Sequence, residues 1–101
     1  MKIKLYQMKE GLDKRGLMFR RYESVESAGG VRREEYELVF EGELEAASDL
    51  EDVYVIFNRY DLMPEGFEGR SLSVSDVIVT EEGAFFCDAY GFIKVDNFEE
   101  D

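Results

Sequence analysis

Residues 70–76, Arg-Ser-Leu-Ser-Val-Ser-Asp, place three hydroxyls, a carboxylate and a guanidinium within seven positions. Serine and aspartate are two of the three residue types of a hydrolytic triad. The third member is missing: the chain contains no histidine. The only lysine beyond Lys14 is Lys94, in the last expected strand. With no base to take its proton, a serine hydroxyl is a weak nucleophile. A second reading fits the residues better. In a straight strand, Ser71, Ser73 and Ser75 would share a face with Val77 and Val79, an odd switch from hydroxyl to aliphatic. In a turn, Ser73 and Asp76 would hydrogen-bond backbone N–H groups, as short polar side chains do, while Leu72 and Val74 anchor the turn. Leu72–Val79 also follows a common Leu-x-x-Gly-Asp-Val-Val entry into a strand, with Ser75 in the glycine position.

Carboxylates offer other chemistry. Paired acids serve glycoside hydrolysis or hold a hard cation. Twenty-four acids in 101 residues make chance pairs abundant, and no EF-hand spacing occurs, so a solvated acidic surface is expected, without metal or other cofactor. Glu35, Glu37, Glu41, Glu43, Glu45, Asp49, Glu51 and Asp52 follow one another along consecutive elements. Such a row would imitate the phosphates of duplex DNA in the basic cleft of a nuclease. Cys87, the only cysteine, lies in Phe85-Phe86-Cys87-Asp88 with no basic sequence neighbour to lower its pKa. It reads as a small core filler and rules out an internal disulfide. Asp88 alternates with Phe86 and Tyr90, either exposed or bound to a turn donor. No glycine-rich phosphate cradle is present.

These residues need a scaffold. Residues 2–8 alternate as a half-buried strand, with Ile3 and Leu5 on one face and Lys2, Lys4 and Tyr6 on the other. A polar loop follows, then a short helix near 24–28 before Gly29-Gly30. Residues 34–44 alternate again, with Tyr36, Leu38 and Phe40 together. Residues 48–60 form the main expected helix, with a stripe of Leu50, Val53, Tyr54, Phe57 and Tyr60. Ser48 is the expected N-cap, with Glu51 completing a capping box. Three strands over 76–80, 84–90 and 92–95 close the chain, and the acidic tail 96–101 frays unless Phe98 docks. The order predicts one α+β domain over residues 1–101. A mostly antiparallel sheet of about five strands carries the main helix on one face.

Charge narrows the function. The first 22 residues hold seven bases against two acids, a net +5, and the remainder five bases against 22 acids, a net −17. Direct nucleic-acid binding needs a basic face, which the overall −12 opposes. No apolar run reaches the roughly 18 residues of a membrane span, and Met1–Leu5 is too charged for a secretory leader. The lone cysteine fits a reducing cytoplasm.

Leu5–Met8, Tyr36–Leu44, Leu50–Asn58, Gly69–Val79 and Phe85–Val95 occur in the order seen in the YodL-like domain family, which the chain resembles from about Leu5 to Phe98. The Ser-Leu-Ser-Val-Ser-Asp-Val core with Asp88, Gly91 and Phe92 downstream is its most specific part. Arg70 departs from the pattern, standing where many relatives have histidine. The resemblance implies a compact bacterial cytoplasmic domain, often part of larger proteins of conjugative mobile elements. It implies no assigned activity and supplies no catalytic residues. The expectation is a non-enzymatic module that binds a protein partner through the 64–75 loop and the acidic helix start. Arg70, Ser71, Ser73, Ser75, Asp76, Asp88, Gly91 and Phe92 are its motif residues. The alternative is the DNA-mimic inhibitor.

Overall fold

A computed structural model describes residues 1–99. The chain runs β1 (Lys2–Met8), α1 (Tyr22–Ser27), a 3-10 turn (Arg33–Glu35), β2 (Tyr36–Glu43), α2 (Leu50–Ile56), β3 (Val77–Thr80), β4 (Gly83–Cys87) and β5 (Phe92–Val95). The five strands form one open antiparallel sheet in the order β2-β1-β3-β4-β5. The fold is α+β, as expected.

Both faces of the sheet are covered. Ile3, Leu5 and Ile78 pack with Val53, Ile56 and Phe57 at α2. Tyr6, Val77 and Phe86 point the other way and pack with Val25 of α1 and with Phe98. The expectation of helix on one face is therefore extended: α1 covers the second face. This explains why Leu5 through Met8 are all buried, where a strand with one wet face would alternate.

The Tyr36–Leu38–Phe40 alternation is broken by a bulge. Leu5 pairs with Phe40 and Tyr6 with Leu38, leaving Val39 as the extra residue. Phe40 thus joins Val39 against the α2 core, Tyr36 stays on the α1 side, and Leu38 is left 40% exposed.

Helix α2 is shorter than 48–60 and starts differently. Asp49, not Ser48, is the N-cap, its carboxylate accepting from Asp52 N (2.9 Å). Asp52, not Glu51, reaches back to accept from Ser48 N and Oγ (2.9 and 3.0 Å). Those two bonds favour the charged form and hold the Asp52 carboxyl below its ordinary value. The reciprocal logic of the capping box survives, shifted by one residue. The helix ends because Asn58 Nδ2 captures Tyr54 O and Leu72 O (2.9 and 3.1 Å). The buried stripe is Val53, Ile56 and Phe57, while Tyr54 is partly exposed and Tyr60 fully so.

The tail does not fray as far as Glu99. Phe98 is buried and meets Tyr6 and Tyr36 edge-on at 5.1 and 5.3 Å. Glu99 accepts from Tyr6 Oη (2.5 Å) and Lys4 Nζ (3.2 Å), which lowers its pKa. Glu100 and Asp101 lie outside the described residues.

Candidate functional site

The motif 70–76 folds around one buried carboxylate. Asp76 is fully buried at the start of β3. Its Oδ2 accepts from Ser73 N (2.9 Å) and Gln7 Nε2 (3.0 Å), and its Oδ1 from Arg70 Nη2 (3.1 Å). Asp76 N donates in turn to Ser73 O (3.1 Å), closing the expected turn. Gln7 is pinned at both ends of its amide: Oε1 accepts from Arg70 N (3.1 Å) and Nε2 also donates to Arg70 O (2.8 Å). Burial pushes the Asp76 carboxyl up to about 7, against the opposing pull of Ser73 N–H, Arg70 and Gln7.

Arg70 clamps β1 to the motif. Its Nη1 donates to Met8 O (3.0 Å) and its guanidinium stacks 4.8 Å from the Phe19 ring centroid. Its Nε is buried without a hydrogen-bond partner among the described residues.

Ser75 holds the loops over the second face. It has φ = 86°, the left-handed region where glycine is at ease and serine is not. It sits in the glycine position of the strand-entry pattern for a reason: its Oγ accepts from Phe19 N (3.0 Å). Its carbonyl accepts from Tyr36 Oη (2.6 Å), and burial raises the Tyr36 phenol pKa far above its ordinary value. The backbone strain is held in exchange for bonds to two separate segments. Ser75→Ala keeps the strain and loses the Phe19 bond, and should cost about 1–2 kcal/mol. Ser75→Gly loses the same bond but relaxes the backbone, and should be about 1 kcal/mol more stable than Ser75→Ala. Urea unfolding of both variants measures the difference, and equal stabilities would refute the role of strain.

The other motif residues build a hairpin. Asp88 N donates to Gly91 O (2.9 Å), and Gly91 takes φ = 80°. The Asp88 carboxylate accepts from Ala89 N (2.8 Å) and from Tyr22 N at the start of α1 (2.9 Å). It is bound to turn and helix donors, so the hairpin between β4 and β5 is locked to α1. Phe92 pairs with Cys87 across the hairpin and is partly exposed. Ser71 is exposed, its carbonyl accepting from Ser73 Oγ (3.0 Å). Thus Arg70, Ser73 and Asp76 converge on one internal network, Ser75 beside them ties Phe19 and Tyr36, and Asp88, Gly91 and Phe92 build a separate turn.

The sequence model of the YodL-like domain family matches residues 2–98. The chain belongs to this family. No curated protein and no solved structure matches it. In this YodL-like domain the Ser-Leu-Ser-Val-Ser-Asp-Val core of the motif builds the Asp76 network, and its downstream residues build the separate hairpin turn.

The acidic row is only partly laid open. Glu35 is buried beneath Arg15, whose Nε and Nη2 reach its two oxygens at 2.8 and 2.5 Å. Arg15 also donates to Ala28 O and Gly30 O, fastening the loop after β1 to the end of α1. Glu37 meets Lys9 (3.5 Å), Glu43 meets the Met1 amino group, and Asp52 serves the α2 cap. Glu41, Glu45, Asp49 and Glu51 form no ion pair among the described residues.

Cys87 is buried in the α2 core, and burial, reinforced by the charges of Asp76 and Asp88, pushes its thiol up to about 12. The native YodL-like domain should therefore resist maleimide at neutral pH, and modification should appear only with denaturant. Rapid stoichiometric labelling of the folded chain would contradict this. Among the described residues no group of three metal-ligating side chains converges, and no helix is long and apolar enough to cross a membrane.

Proposed function

We propose that this YodL-like domain is a non-enzymatic module that binds a protein partner, serving as an accessory in the bacterial cytoplasm. The observation that carries the reading is the outward placement of aromatic side chains around α2. Tyr90 in the hairpin and Tyr60 beyond the helix are 94% and 96% exposed, and Tyr54 and Val55 on α2 are 41% and 46% exposed. Tyrosine is among the residues that dominate binding energy at protein interfaces. The three groups with the most strongly displaced pKa values support the same reading. Asp76, Tyr36 and Cys87 all lie inside the fold, bonded or packed, and not at a reacting surface.

Affinity capture from a bacterial lysate tests the proposal. A protein retained by the wild-type domain and lost from a Tyr54→Ala/Tyr90→Ala variant supports it. Turnover of ester, phosphate or glycoside substrates by the purified domain would overturn it.

A second reading, a DNA-mimic inhibitor, draws support from Glu41 on the open edge strand β2, followed by Glu45, Asp49 and Glu51. The internal pairing of Glu35, Glu37, Glu43 and Asp52 weakens it. It requires binding to a nuclease that weakens steeply with salt, and salt-insensitive binding would exclude it.

A further inference from the structure

We infer that the groove between α2 and the β4–β5 hairpin receives a lysine or arginine side chain, carried beside an apolar residue on a partner protein. This rests on the protein-binding reading and names its site and chemistry. Two hollows, of about 320 and 390 Å³, both include Glu51 and Phe92 in their linings. Tyr54, Tyr90 and Val74 wall the first, with Asp88 beside them. Leu50, Phe85 and Phe92 give the second an apolar surface, with Asp49 and Glu82 among its lining. No lysine or arginine side chain among the described residues lines either hollow, and the Met1 ammonium bordering the second is paired with Glu43.

The carboxylates differ in their freedom. Asp88 and Asp49 are held by backbone donors. The Glu51 and Glu82 carboxylates form no ion pair and accept no hydrogen bond among the described residues, the Thr80 hydroxyl being bound by the Glu82 N–H instead. Glu51 lines both hollows, so a cation at their junction would meet an uncommitted carboxylate. Tyrosine faces attract cations by their quadrupole, and the aliphatic stem of lysine or arginine covers apolar surface while its head stays charged. A bare metal ion fits poorly, since no three ligating side chains converge among the described residues. A long cation with an apolar stem matches separated acids between aromatic walls. The overall charge of −12 would steer such a partner inward.

The test uses the full chain as bait for a display library of random short peptides. Enriched peptides are then titrated into labelled protein and followed by NMR. The expected result is enrichment of a lysine or arginine next to an aromatic or aliphatic residue, with shifts at Tyr54, Glu51, Tyr90 and Phe92. Affinity should fall about tenfold or more in Tyr90→Ala and in Glu51→Lys and weaken with salt. Both positions are exposed, so both variants retain the fold. Neutral or acidic peptides, binding mapped to another surface, or no enrichment would overturn the groove assignment. A lysate partner captured through other residues would still leave the broader protein-binding reading standing. The exposed Phe19-Arg20-Arg21 of a second copy carries similar chemistry. Concentration-dependent self-association lost in Tyr90→Ala would therefore overturn the assignment to a different protein.

Discussion

Asp76→Ala is expected to destabilise the domain by about 2–4 kcal/mol, the cost of leaving several donors around a buried carboxylate without their acceptor. The change strips the acceptor from Ser73 N, Gln7 Nε2 and Arg70 Nη2 at once, and buried donors left unpaired lose their hydration without compensation. Those donors belong to β1 and to the loop entering β3, so the loss falls on the junction of two paired strands. Chemical denaturation at neutral pH measures it, and a loss under about 1 kcal/mol would show that the network is not held by its carboxylate. The pH dependence has a definite sign. The folded Asp76 pKa, about 7, lies above the ordinary 3.8. Between these values the folded state binds the proton and the unfolded state does not, so stability falls as pH rises from about 4 to about 7. Relief of the net −12 charge on acidification acts in the same direction over carboxylate titration. Asp76→Asn separates the two: it removes the Asp76 contribution, flattening the slope most between about pH 5 and 7, and leaves the surface charge term in place. It should also cost less than Asp76→Ala, because its carbonyl still accepts from one side of the network. An unchanged slope in Asp76→Asn would refute the raised pKa.

What was legible in the sequence was the scaffold and the turn. Period-two alternation placed β1 and β2, and short β-branched and aromatic runs placed β3 to β5, because strand periodicity survives without knowledge of neighbours. Ser73, Asp76 and the glycine-like position of Ser75 were legible because a turn is local. The partners of that turn were not. Gln7 comes from a strand 63 residues before Arg70, and only tertiary packing brings them together. A signal existed: Gln7 continues the face of Ile3 and Leu5, and an amide at a core-facing position needs a buried partner. The Arg15–Glu35 pair left no local trace, so Glu35 read as one more surface acid. The face of α2 was ambiguous for a different reason. After Asp52 the helix is apolar on all sides, in Val53-Tyr54-Val55-Ile56-Phe57. Several stripes fit, and packing chose the one that buries Ile56 and exposes Tyr54. The bulge at Val39 was likewise invisible, since an extra residue changes the register without changing composition.

Phe57→Ala should cost about 3–5 kcal/mol, the range for deleting a buried aromatic side chain. Phe57 is fully buried at the end of α2. Its ring meets Phe40 of β2 at 5.3 Å and Phe67 of the loop after the helix at 4.9 Å, both edge-on, a geometry that adds to simple burial. Three segments therefore lean on one side chain, and Phe67 lies in a loop with no strand or helix of its own. The Phe57 backbone carries a second tie, its carbonyl accepting from Leu72 N (3.2 Å). That bond survives the substitution in principle, so the loss should be localised before it is global. Amide exchange should quicken most in residues 65–72 and at the end of α2, and less in β3 and β4, which Val77 and Phe86 also pack on the opposite face. Phe57→Leu refills part of the volume and should recover more than half of the loss. If Phe57→Ala instead accelerated exchange evenly over the whole sheet, the ring would be supporting the global fold and not the seating of the loop, and the division of the core into two separately packed faces would be wrong.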